Sequence, residues 1–109
     1  MAKKTKSQAK PKNAMRFLNN LIGEPLTFGS MIETIRITDE YTLETMSKKL
    51  GVSRGHLCDV EKGRRVVSPE RAAKWGKALG YGEAHFVMLA LQAELDAAGL
   101  KYRVNVEAA

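Results

Sequence analysis

Two short apolar stripes constrain this chain more than any other feature. Leu43, Met46 and Leu50 form the first, Leu57 and Val60 the second, and Gly51-Val52-Ser53 lies between them. Spacings of three and four residues put each set on one side of a helix. Thr42 can cap the first helix, although position 45 is Thr rather than the Glu or Gln of a full capping box. Gly51 suits the left-handed position that ends a helix. Ser53 can cap the second helix, Arg54 to Lys62, and Gly63 closes it. Ser47 is small enough to let two helices cross closely. Helices this short are unstable alone in water, so the pair must pack on the rest of the chain. A tight turn between two such helices gives a near-perpendicular pair.

The flanking sequence supplies that packing. Residues 1–12 are Lys-rich, carry no large apolar group beyond Met1 and contain Pro11. Such a segment is predicted to be a disordered basic tail. Asn13 can cap a short helix to about Ile22, ended by Gly23 and Pro25. A helix from about Thr27 to Ile37 places Phe28, Met31, Ile32 and Ile35 together, and Thr38-Asp39-Glu40 breaks it. Ser68-Pro69-Glu70 starts a further helix to Leu79, with Ala72, Trp75, Ala78 and Leu79 inward. A longer helix follows from Glu83 to about Ala98, stopped by Gly99. Leu100 to Val106 alternates apolar and polar residues, the pattern of a short C-terminal β-strand. The expected organisation is a tail at 1–12, a domain at 13–82 and a terminal helix and strand at 83–109.

Charge and composition exclude several function classes. Residues 1–16 hold six basic residues and no acid, and residues 48–77 hold nine basic residues against three acidic. Two basic blocks in an otherwise acidic chain are candidate contacts for a polyanion. No apolar run approaches the roughly 20 residues that span a bilayer, and no secretory leader is visible, so a cytoplasmic location with no membrane partner is expected. The lone cysteine, Cys58, fits a reducing compartment. His56 and His85 are the two histidines, and no metal-ligand spacing, phosphate loop or nucleophile elbow occurs. Neither an enzyme nor a cofactor or metal site is expected.

The run TLETMSKKLGVSRGHLCDVEKGRR resembles the helix-turn-helix of the Cro/CI (XRE) regulator family, which reads approximately T-Q-x-x-L-A-x-x-L-G-V-S-x-x-x-L-S-x-I-E-x-G. Thr42, Leu50, Gly51, Val52, Ser53, Leu57, Glu61 and Gly63 match, and Met46 and Val60 are apolar exchanges. The looser likeness spans residues 27–80. Leu43, Ser47 and Cys58 depart from the usual Gln, Ala and Ser. The resemblance implies an all-α, five- to six-helix, lambda-repressor-like domain whose second motif helix enters the major groove of double-stranded DNA. On that helix Arg54, Gly55, His56, Cys58 and Asp59 become candidate base readers. Thr42, Ser53, Lys62, Arg64 and Arg65 become candidate phosphate contacts.

The helix from Glu83 carries more apolar surface than a small domain needs. That helix is expected to serve both the core and a homodimer interface, with Phe86, Leu89, Ala90 and Ala93, and Tyr102 and Val104 of the expected strand, as the interface candidates. The expected function is a repressor that binds a palindromic operator as a homodimer. The size and terminal segments are also similar to HigA-type antitoxins, which would add a toxin protein as partner. The competing expectation is an interaction module that keeps the fold but reads little DNA, suggested by Leu43, Gly55 and Asp59.

Overall fold

The structure is a computed structural model that describes residues 26–109. The basic tail and the short helix expected before Gly23 lie outside the described residues. Five helices follow in order: α1 Phe28–Thr38, α2 Leu43–Leu50, α3 Arg54–Glu61, α4 Pro69–Leu79 and α5 Glu83–Ala97.

Local chemistry sets the helix starts. Thr27, Thr42, Ser53 and Ser68 each accept a hydrogen bond from the backbone N–H three residues on, which satisfies one of the free donors of each helix start. At Thr27 the cap is reciprocal, because the Ser30 hydroxyl accepts from the Thr27 N–H. The turn between α2 and α3 rests on Gly51, whose φ of 75° lets the Gly51 N–H reach the Lys48 carbonyl and the Val52 N–H reach the Ser47 carbonyl. The break after α1 closes the same way, with Tyr41 N–H on the Arg36 carbonyl, but there Glu40 takes the left-handed conformation at φ 62°.

One core joins all five helices. Met31, Ile32 and Ile35 of α1, Met46 of α2, Leu57 and Val60 of α3, Ala72 and Trp75 of α4, and Phe86 and Ala90 of α5 are buried together. The core is largely aliphatic, but aromatics hold its α1–α4–α5 side. Phe28 meets Phe86 edge-on at 6.1 Å between centroids and Trp75 at 6.0 Å, spacings at which ring quadrupoles attract. Tyr81, in the α4–α5 turn, donates to the Asp39 carboxylate at 3.2 Å and ties that turn to the end of α1. Burial, reinforced by the Asp39 charge, pushes its phenol well above the ordinary tyrosine range.

Three sequence expectations are corrected here. Ala78 is exposed rather than inward, because the buried stripe of α4 is Ala72, Trp75, Gly76 and Leu79, and residue 78 falls off that face. Phe86, Leu89 and Ala90, expected at a dimer interface, are 0%, 8% and 0% exposed. Phe86 is drawn into the aromatic cluster, and the helical turn after it follows. Of that set only half-buried Ala93, partly buried Val104 and exposed Tyr102 remain at the surface.

The C-terminal β-strand is the third. No strand forms among the described residues. A side chain occupies the place of a neighbouring strand instead. Gln92 of α5 donates from Nε2 to the Tyr102 carbonyl at 2.8 Å and accepts from the Val104 N–H at Oε1 at 2.9 Å. The other Nε2 hydrogen goes to Asp96 Oδ1 at 3.0 Å. Only the second half of the alternation is sided: Val104 and Val106 are partly buried while Arg103 and Asn105 are exposed, and Leu100 and Tyr102 stand at the surface.

Candidate nucleic-acid interface

The α2–α3 pair is positioned from behind. Gly29 of α1 lies so close to the end of α3 that a Cβ there would collide with the Val60 carbonyl oxygen and sit 2.9 Å from that of Glu61. Beside this approach, Arg36 of α1 binds Glu61 of α3 through two parallel bonds, Nε to Oε2 at 2.7 Å and Nη2 to Oε1 at 3.2 Å. The Glu61 side chain is 3% exposed and that of Arg36 18%. A bidentate guanidinium–carboxylate pair fixes orientation as well as distance. The bond to Glu61 raises the Arg36 pKa against the opposing effect of burial. Glu61 matched the family pattern; its partner, far off in sequence, was not anticipated.

With Leu57, Val60 and Glu61 facing inward, α3 turns Arg54, Gly55 and Lys62 to solvent and leaves His56, Cys58 and Asp59 half-covered. The first turn of α3 runs against ordinary helix electrostatics. α2, α4 and α5 each place an acid there, Glu44, Glu70 and Glu83. α3 has none and starts with Arg54 at the positive end of its own dipole. Among the described residues no carboxylate lies within ion-pair distance of Arg54, Lys62 or Arg65. Arg54 is opposed by the helix end it stands on, and an anion placed against it relieves that.

The other candidates are distributed as follows. Thr42 and Ser53 spend their oxygen lone pairs on the caps of α2 and α3. The Thr42 hydroxyl also donates to Thr45. Gly55 has open space where a Cβ would stand. Arg64 is bound to Asp59, Nε to Oδ1 at 3.1 Å, and its N–H bonds the Asp59 carbonyl at 2.8 Å. Asp59 thus neutralises one of the candidate phosphate contacts. Asp59→Asn is expected to free Arg64 and raise affinity for random-sequence duplex several-fold at low salt. A titration showing unchanged or weaker binding would refute this.

A residue missed in the sequence is Arg71 of α4. Its Nη1 approaches His56 Nε2 at 3.5 Å, bridging the first turns of α3 and α4. Partial burial, with the charges of Arg65 and Arg71, lowers the His56 pKa, which favours the neutral ring with a bare Nε2 facing the guanidinium. A basic residue three positions past the Ser68 cap was the available signal. No group of three or more metal-ligating side chains occurs among the described residues, and none of their helices is long and apolar enough to cross a membrane.

Comparison with known proteins agrees with this geometry. A helix-turn-helix family model matches residues 32–86, from the middle of α1 into α5. The crystal structure of the clp gene regulator ClgR from Corynebacterium glutamicum is similar, at 32% identity and a TM-score of 0.52, over 69% of this chain and 84% of that one. No curated protein matches the chain. The chain belongs to the XRE-type helix-turn-helix family of DNA-binding transcriptional regulators.

Proposed function

We propose that this chain is a homodimeric repressor that reads a palindromic operator with α3. The observation that carries the reading is the first turn of α3, where Arg54 stands exposed, against the helix dipole and, among the described residues, without an ion-pair partner. The major groove admits a helix, and its N-terminal residues reach base edges first. In this reading Arg54 binds a guanine. Gly55 allows close approach, and His56, Cys58 and Asp59 border the base-reading surface. Lys62 and Arg65 hold phosphates, with Arg71 beside them. Ser53 can still offer its hydroxyl hydrogen at the groove edge, Thr42 only by giving up its bond to Thr45, and Arg64 contributes only when released from Asp59. The similar protein ClgR is a clp gene regulator, which favours regulation over an interaction module. A HigA-type antitoxin would be a repressor of the same kind with one further partner, and no residue here is assigned to such a partner.

The test is a salt titration of the full chain against palindromic and random duplexes. Arg54→Ala is expected to cost about tenfold on the preferred sequence and little on random DNA. Lys62→Ala is expected to weaken both alike and reduce the salt slope by about 1. Negligible binding at low salt would overturn the reading. Equal loss on both duplexes for Arg54→Ala would remove its base-reading role.

A further inference from the structure

The segment that follows α5 has one side in use and one side open. The Tyr102 carbonyl and the Val104 N–H both point at the Gln92 amide. In an extended chain the groups of successive residues point to opposite sides. Those of Lys101, Arg103 and Asn105 therefore point away from α5, and among the described residues no backbone or side-chain hydrogen bond reaches them. An exposed row of free N–H and C=O groups is a template for another strand. Both Gln92 Nε2 hydrogens are already in use, and Oε1 already accepts from Val104, so the first side is occupied by this amide.

The sequence of this edge is complementary to itself. Antiparallel pairing about a two-fold axis at Val104 sets Lys101 opposite Glu107, Tyr102 opposite Val106 and Arg103 opposite Asn105. The open groups of 101, 103, 105 and 107 then meet one another in hydrogen-bonded pairs. An axis at Arg103 would instead oppose that cation to its own copy, and one at Asn105 would set Arg103 opposite Glu107 but leave Lys101 and Tyr102 facing only Ala109 and Ala108. Opposite charges and an aromatic facing a β-branched residue are favourable cross-strand pairs, and like charges are unfavourable. The self-complementary patch is what a two-fold interface requires.

We propose that the edge Lys101–Glu107 is the dimer interface, pairing with the same segment of a second copy in antiparallel register about Val104. The proposal rests on the homodimer reading above and names the segment that makes it. It also explains how an alternating sequence can remain without a strand partner inside its own chain.

The experiment measures the mass of the full chain in solution, without DNA, across a concentration series. The wild type is expected to dimerise. Lys101→Glu and Glu107→Lys each set like charges opposite at two symmetric positions, and each is expected to weaken the dimer about tenfold. The double variant Lys101→Glu/Glu107→Lys restores both pairs and is expected to return to within about twofold of the wild type. Thermal unfolding of each variant at concentrations that keep all of them monomeric is expected to be unchanged. A wild-type dimer indifferent to the single reversals would overturn this interface while leaving the homodimer reading intact. Additive weakening in the double variant would overturn the register and hence the proposal. A monomer at all concentrations would overturn both, and would leave the edge for the strand of a different protein. DNA binding, measured separately, decides the operator reading on its own.

Discussion

Replacing Gly29 by alanine is expected to destabilise the domain by about 3 kcal/mol, at the upper end of ordinary overpacking. The added methyl group would meet the carbonyl oxygens of Val60 and Glu61, which are backbone atoms and cannot turn aside. Only separation of α1 from α3 relieves the clash, and that movement would pull at Met31, Ile32 and Ile35, all 0% exposed. For a domain of this size the loss corresponds to a melting temperature lower by on the order of 15 °C. Urea unfolding followed by circular dichroism measures it. A Gly29→Ala protein that melts within a few degrees of wild type would mean that the approach of α1 to α3 is looser than described. Gly76 offers a contrast. A Cβ there would meet the Phe86 ring at 3.2 Å and the Glu83 Cα at 3.3 Å, tight contacts but less severe ones.

The second large effect is expected at the Arg36–Glu61 pair. Arg36→Ala leaves the Glu61 carboxylate, with its side chain 3% exposed, without its cation. Breaking a buried pair from one side costs about 3 kcal/mol, chiefly through the stranded charge. Replacing both partners by apolar residues, as in Arg36→Met/Glu61→Leu, is expected to recover most of that loss, since the pair must first offset its own desolvation. Denaturant midpoints of the single and double variants form the relevant cycle. If the double variant were as unstable as the sum of the singles, the pair would not be acting as a unit. Glu61 lies one residue before Lys62, so the same cycle followed by DNA titration separates orientation of α3 from stability.

These two sites mark the limit of what the sequence disclosed. The starts and ends of α2 and α3 were legible because caps and the left-handed turn at Gly51 are decided within a few residues. The buried stripe of α3 was legible for the same reason. Nothing local marked Gly29; its meaning lies in the backbone of α3, more than thirty positions away. Glu61 fitted a pattern without revealing Arg36. The exposed side of α3 followed directly from its buried side, whereas Arg71 reaches His56 across two elements and left no periodic trace. The C-terminal alternation was read as a strand because alternation is local, but a strand is defined by its neighbour. Here that neighbour is one glutamine side chain. Phe86 and Ala90 were misplaced because an apolar face does not state whether it meets its own core or another molecule.

The Gln92 clasp has a consequence for how the molecule opens. The last ten residues carry no helix and are fastened to α5 chiefly by two hydrogen bonds to one amide. Of their side chains only Val104 and Val106 are partly buried, so the segment itself gives up little apolar burial on release. Segments of that kind exchange their amide hydrogens through small local excursions, with free energies well below that of global unfolding. The chain therefore has a rigid body that unfolds as one and a terminal strap that detaches alone. Stability of the fold and availability of the strap can change independently.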